Sequence, residues 1–539
     1  METQSLGDTL RIRPVVWVCA LVLGIATGFA TIGFRIAIEY LEEAIYGASS
    51  ETLASHAATL DWWVLILIPT IGGLIVGLIL QHFTPDARAR TVAHAIEGAA
   101  LNDGRVEGKA GLASTLASLI TLGTGGSSGR EGPAIHIGAL ISSKVSKLIN
   151  ADGLTGRDLL GCTVAAAVAA SFNAPLAGAL FALEVVLRHY TVRALAPIMI
   201  AAVAGSAVSR LYFGNITEFF VPLETVGFIV ELPAFMTLGV VAALVAVVLI
   251  KAIFWAEDLG DRVQSALGAP AFLRPMAAGF MLGCLAIYFP HIIGVGYETT
   301  SNALTGQMTL LAAILFAVTK GIAVTITLAG RMGGGVFSPS LMMGALTGLA
   351  FGWIAVAMFP SIEGDETLYA LAGMGAVAAA ILGAPLSTTL IVFELTGDWQ
   401  AGLSVMVAVA VASAITNRLV HRSYFITQLE RRNVRISLGP QAYLLSKFSV
   451  ASVYRTKDNL SVSRVSKLNA LIKKGIYVRT TATLDQAMPL FESGHKKRIP
   501  VVAPHEDGAS PELVGALYYV DALDLMNKAL AQSALEEHA

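Results

Sequence analysis

Glu131 is a carboxylate where a carboxylate is costly. It stands in Gly123-Thr-Gly-Gly-Ser-Ser-Gly-Arg-Glu-Gly-Pro133, a glycine-rich stretch inside apolar sequence. An ionisable group at bilayer depth costs roughly 2.5–3.5 kcal/mol on insertion scales and tends to mark a pathway. The glycines exclude helix interior, whereas Pro133 suits the first turn of a new helix that Ala134 to Leu140 continue. A helix starting within the membrane presents free N–H groups and roughly half a positive charge, which attract anions. The implied chemistry is an anion pathway in which Glu131 competes with the permeating ion for one site. Arg130 reads as an electrostatic lure in a vestibule. His136 falls off the helical face of Glu131 and reads as a packed polar residue.

A second break, Gly333-Gly-Gly-Val-Phe-Ser-Pro339, also presents a helix start, with Phe337 where the first has Glu131. One copy brings a titratable gate and the other an uncharged wall.

The elements that must position these groups are membrane helices. The chain has 539 residues, 55% of them hydrophobic and 14% charged, against about 25% charged in soluble domains. Mean hydropathy is +0.69. This is an all-α polytopic membrane protein, and its net charge of −2 gives no sign of a nucleic-acid partner. Cys19, Cys162 and Cys284 lie in apolar segments without metal spacing and read as packing residues. No metal or cofactor is expected. His-Glu-x-x-His, nucleophile-elbow and Walker motifs are absent, so the chain reads as no enzyme. Val15 to Ala30 reads as the first membrane helix rather than a signal peptide. Several later apolar segments are too short to cross a core of about 30 Å. Short, glycine-broken segments read as half-helices around a protein-enclosed site. Arg11 and Arg13 at one end, and Arg418, Arg422, Arg431, Arg432 and Arg435 at the other, favour cytoplasmic termini.

An internal repeat organises the whole. Asn173-Ala-Pro-Leu-Ala-Gly-Ala-Leu-Phe-Ala-Leu-Glu184 recurs as Gly383-Ala-Pro-Leu-Ser-Thr-Thr-Leu-Ile-Val-Phe-Glu394. Pro133 with Gly138-Ala-Leu140 recurs, at a nearly equal offset, as Pro339 with Gly344-Ala-Leu346. Two related halves with glycine-rich breaks are a transporter layout in which broken helices meet near mid-membrane. The matching positions of Glu184 and Glu394 suggest hydrogen-bonding roles in the architecture.

Gly129-Arg-Glu-Gly-Pro133, Gly334-Gly-Val-Phe-Ser-Pro339, Phe172-Asn-Ala-Pro-Leu-Ala-Gly178 and Gly294-Val-Gly-Tyr-Glu298 closely resemble the CLC family of chloride channels and chloride/proton exchangers. The resemblance spans roughly residues 15–433 and implies a homodimer with a pore in each subunit, built from inverted-topology repeats at about 62–212 and 270–433. It makes Glu131 the external gate. It implies anion contacts at Gly129, Arg130, Glu131 and Gly132, and at Gly335, Val336 and Phe337.

Three departures stand out. The place of the family's first anion-binding motif reads Ala89-Arg-Thr-Val-Ala-His94, with Arg90 at the usual serine and Thr91 as a substitute if the register slips by one. The coordinating tyrosine falls at Phe425 with Tyr424 beside it, so either the hydroxyl is lost or the helix is turned by one residue. The inner proton-handling glutamate of many exchangers would follow Glu184, at Val185, which carries no proton. This last feature tips the reading toward passive conduction of chloride or a similar small anion. Anion/proton antiport is the alternative, and a membrane sensor without flux a distant one.

Residues 1–14 read as a cytoplasmic arm and 434–539 as a small cytoplasmic α/β domain that resembles a CBS domain. One motif is clear, at about 478–530, and residues 441–477 read as a degenerate partner or a linker. Asp521 fits the aspartate that binds ribose in nucleotide-binding examples, but Tyr518 replaces the hydroxyl expected three residues earlier. A dimerisation or regulatory module is favoured over adenine-nucleotide binding. A bacterial inner membrane is the expected location.

Overall fold

The structure is a computed structural model. It describes residues 2–538 apart from 191, 215–218, 220–227, 360–365, 397–398, 433, 435–447, 458–461, 474, 493–496 and 504–510. Arg435 therefore lies outside the described residues. The chain divides into two compact units, Pro14–Arg432 and Met1–Arg13 with Asn433–Ala539. The N-terminal residues expected to form a polar arm are helical from Glu2 onward.

In the larger unit, α1 (Glu2–Tyr46, of which Pro14 onward belongs here) and α2 (Leu53–Ala57) lead into α3 (Trp62–Phe83), α4 (Val92–Leu101) and α5 (Gly108–Gly123). After the first break come α6 (Glu131–Leu148), α7 (Gly153–Phe172), α8 (Pro175–Phe181) and α9 (Val192–Phe213), with a π-helical turn at Ala182–Leu187 closing α8. The second half begins after α10 (Phe228–Leu267). It comprises α11 (Leu273–Ala286), α12 (Tyr297–Leu304) and α13 (Leu310–Ala329), then α14 (Phe337–Met358), α15 (Glu366–Leu382), α16 (Pro385–Thr396), α17 (Trp399–Val420) and α18 (Tyr424–Glu430). Helices α6 to α9 thus have counterparts in α14 to α17, each half entered through its glycine-rich break.

Among the described residues, seven helices are long and apolar enough to cross a membrane. Others, including α8 with its π turn and α16, are too short, as half-helices must be. Without a hydrophobic drive between helices in lipid, close packing of small residues holds them together. At the α14–α15 crossing, a β-carbon on Gly348 would lie 2.0 Å from the Tyr369 carbonyl oxygen. One on Gly344 would lie 2.4 Å from that of Gly373, so any side chain there would force these helices apart. Helices α7 and α15 are buried along nearly their whole length, and their alanine-rich sequences suit a position with protein on every side.

The smaller unit holds a four-stranded sheet of order β1-β4-β3-β2, with β1 (Arg455–Thr456), β2 (Val478–Arg479), β3 (Arg498–Val502) and β4 (Leu513–Tyr518). Helix α19 (Val462–Lys473) packs against one face through Leu468, Leu513 and Ala516. Helices α20 (Leu484–Glu492) and α21 (Tyr519–His538) cover the other, around Phe491, Ile499, Val501 and Leu517. The segment read as a degenerate partner or linker thus supplies β1 and α19 to the same sheet unit. Asp521 is held by Arg455 through two bonds, Nε to Oδ2 at 2.7 Å and Nη2 to Oδ1 at 2.8 Å. That guanidinium also lies over the Tyr518 ring, 4.6 Å from its centroid. The aspartate considered for ribose is therefore engaged within the domain.

Candidate anion site

The two breaks meet. Gly129 N–H donates to the Gly335 carbonyl at 2.7 Å and Gly335 N–H to that of Gly129 at 2.9 Å, a two-residue antiparallel bridge between the halves. Gly334, at φ +117°, makes the turn that allows it. Threonines from the preceding helices brace the bridge crosswise. Thr121 of α5 accepts from Gly333 N–H (3.0 Å), and Thr327 of α13 accepts from Ser127 N–H (3.1 Å). Each half thus satisfies a buried backbone donor in the other's turn, which lipid could not do.

This corrects one expectation. Gly129 and Gly335 commit their N–H groups to each other and so cannot offer them to an anion.

Glu131 is the first residue of α6 and is 1% exposed. Its carboxylate turns onto the start of the opposite helix: Oε1 accepts from Ser338 Oγ at 2.5 Å, and Oε2 accepts from Ser338 N–H at 3.3 Å. Those donors, at the N-terminal turn of α14, are what an anion would seek there. Arg130 Nε stands 4.0 Å from the same carboxylate, and its guanidinium lies over the Tyr297 ring at 4.7 Å. Sequence reasoning missed Ser338. Its signal was a hydroxyl directly before Pro339 in the Gly333–Pro339 stretch, at the first turn of a proline-started helix. Phe337 is buried between Phe172 and Phe181, with ring centroids at 5.0 and 5.6 Å, and forms the apolar wall.

A cleft lies beside this seam, lined by Gly132, Gly335 and Val336 together with Thr91, Tyr424 and Phe425. Both residues of the Tyr424–Phe425 pair face it, so neither alternative for the tyrosine register excludes the other ring. Thr91, at the start of α4, faces the cleft and donates its hydroxyl to Gln428 Oε1 at 3.1 Å. The Arg90 side chain is instead tied to Asp86 and Glu107, each at 3.0 Å. Of the two positions, Thr91 is the one that lines the cleft.

Glu184 and Glu394 cross-link the halves. Glu184 accepts from Leu386 N–H (3.0 Å) and Ser387 N–H (2.9 Å) at the start of α16. Glu394 accepts from Leu176 N–H (2.9 Å) and Ala177 N–H (2.8 Å) at the start of α8. Each carboxylate caps the other half's short helix. Val185 is buried in the π turn beside Glu184. His136 is buried, 6.5 Å from the His94 ring. Among the described residues no cluster could hold a metal ion, and the three cysteines are free.

The sequence profile of the family described as Voltage gated chloride channel matches residues 72–417. The chain belongs to the CLC family. A ClcB-like chloride channel protein of Ralstonia nicotianae is 31% identical over 394 residues, covering 72% of this chain and 90% of that protein. The voltage-gated ClC-type chloride channel ClcB of Escherichia coli O9:H4 (strain HS) is 31% identical over 421 residues, 76% of this chain and 97% of its own. Among solved structures, a slow cyanobacterial Cl−/H+ antiporter shares the CLC fold at a TM-score of 0.69 and 23% identity, covering 77% of this chain and 97% of that one.

Proposed function

We propose that the chain moves chloride across a lipid bilayer through a glutamate-gated pathway in each subunit of a homodimer, by channel-like conduction. The observation that carries this is the Glu131 carboxylate seated on the Ser338 N–H and hydroxyl. A carboxylate that occupies an anion's donors closes the path while ionised. Protonation, or displacement by an incoming anion, releases them. Partly dehydrated chloride then takes the free amides near Val336 and Phe337, helped in from outside by Arg130. Val185 supports passive conduction, because the turn after α8 offers no carboxylate but Glu184, and that group is engaged at the start of α16. Membership of the family and the ClcB relatives support a bacterial inner membrane, and the arginines near either end favour cytoplasmic termini.

Anion/proton antiport is the second reading. It is favoured by the closed seat of Glu131, since a group that must give up its position for each anion can carry a proton as it moves. The deciding measurement is the reversal potential of the purified protein in a planar bilayer under a pH gradient. A value at the chloride Nernst potential supports conduction; a shift with the proton gradient overturns it in favour of exchange.

A further inference from the structure

The small unit is electrically two-sided. On one face of its sheet, α19 carries Arg464, Lys467 and Lys473 and no acidic residue. On the other, α20 and α21 together carry six carboxylates against a single lysine, Lys528. The two sides also differ in how their charges are answered. Asp521 is held by Arg455, and Asp524 by Lys528 at 2.8 Å. Among the described residues no carboxylate pairs with Arg464 or Lys467. Both are exposed, and at three positions apart they are neighbours on one side of the helix. The apolar side of α19 is already occupied, because Val465, Leu468 and Ile472 pack with Leu513 and Ala516. The rest of the exposed surface, at Ser466, Asn469 and Ala470, offers no large apolar side chain.

Such a helix binds by charge rather than by insertion, since an inserting helix needs a free apolar side. Its partner is a negatively charged surface. The chain itself supplies one: the larger unit crosses a bilayer, and the covalent tether keeps lipid headgroups at high effective concentration. We propose that the α19 face of the small unit docks on the anionic phospholipid headgroups of the membrane that holds the chain. Arg464 and Lys467 lie at the headgroup phosphates, and the acidic side formed by α20 and α21 turns to water. Each cation near an anionic leaflet raises occupancy roughly fivefold. The attraction fades as salt shortens its range, from about 10 Å at 0.1 M to about 3 Å at 1 M. Docking of this kind is independent of whether the anion pathway conducts or exchanges.

The test uses the full chain in nanodiscs of phosphatidylcholine alone and of phosphatidylcholine mixed equally with phosphatidylglycerol. Both leaflets are alike, so sidedness does not enter. Hydrogen exchange is read over residues 462–473 and, as an internal reference, over 519–528. Wild-type α19 should exchange at least roughly fivefold more slowly in the anionic discs, with α21 unchanged. Salt at about 1 M should erase the difference. Arg464→Glu combined with Lys467→Glu should abolish it as well. Both positions lie outside the core, and exchange over 519–528 in neutral discs reports whether the variant is folded. Equal exchange of α19 in the two discs overturns the proposal. Slowing over 519–528 instead, or slowing of α19 that survives high salt, overturns it too. Strong protection of 462–473 in both discs, indifferent to lipid charge, overturns it in favour of a protein partner such as the acidic side of a second copy. If the double variant fails to fold, the lipid and salt comparisons on the wild type still decide.

Discussion

The turns at 123–133 and 333–339 are built alike and behave differently. Both follow a helix that lends a threonine to the other turn, both contribute one glycine to the Gly129–Gly335 bridge, and both enter a proline-started helix. The side chain at the first helical position then separates them. Glu131 reaches across to the start of α14, whereas Phe337 is packed between two rings and reaches nowhere. Duplicated backbone thus supplies a donor frame twice, and on the proposed reading a single side-chain difference makes one half the gate and the other the wall. Scaffold and switch are therefore separable by mutation.

The largest effect should come from removing the switch. A single titrating gate allows flux to change by up to about tenfold per pH unit. Protonation neutralises Glu131 and weakens its hold on α14, so wild-type flux should rise as pH falls. Glu131→Gln should flatten that profile at the high-flux level in liposome efflux at stepped pH. A retained profile would put the switch elsewhere.

Ser338→Ala attacks the same seat from the opposite half. A hydrogen bond to a charged group contributes about 1.5–3 kcal/mol. Losing the hydroxyl should favour the open state by about tenfold or more, read as higher anion flux at neutral pH. No change would mean that the backbone N–H alone holds the carboxylate.

Thr121→Val and Thr327→Val address the scaffold. Each leaves one buried backbone N–H unpaired, at about 1–3 kcal/mol. Their losses of thermal stability in detergent should match within error; a large inequality would break the likeness of the two turns. The Glu184→Gln and Glu394→Gln pair should be milder, about 0.5–1.5 kcal/mol for Glu394 and more for Glu184, which also accepts from Ser387 Oγ at 2.5 Å, with the reversal potential unmoved.

Asp521→Asn should have the smallest effect and none on either turn. The Arg455 hydrogen bonds hold the Asp521 carboxyl below the usual carboxylate range. Its contribution is therefore present above the unfolded value of about 3.9 and is lost as pH falls through the lower folded value. Acid unfolding of the variant should lack that step.

Much of the membrane architecture was legible because its signals are local. Glycine-rich breaks, prolines at helix starts and glutamates recurring at one offset announce half-helices and a duplication. Glu131 stood out because charge at bilayer depth is rare. Pairings across the duplication were harder to see. Nothing in Gly129 or Gly335 alone says that their amides are bonded to each other rather than turned to the ion. Ser338 and Gln428 matter through partners on the opposite half or more than three hundred positions away. At Arg90 and Thr91 the difference lies in contacts no local pattern contains: Arg90 is drawn off to Asp86 and Glu107, and Thr91 lines the cleft.

The glycine bridge also constrains tempo. Two reciprocal backbone bonds stitch the halves together between the two helix starts, which opposes widening there by rocking one half against the other. On the proposed reading, opening falls to one buried carboxylate changing rotamer, a smaller movement than the hinged-domain motions that take microseconds to milliseconds. The wait for a proton or an incoming ion, rather than travel of the framework, then sets the turnover rate.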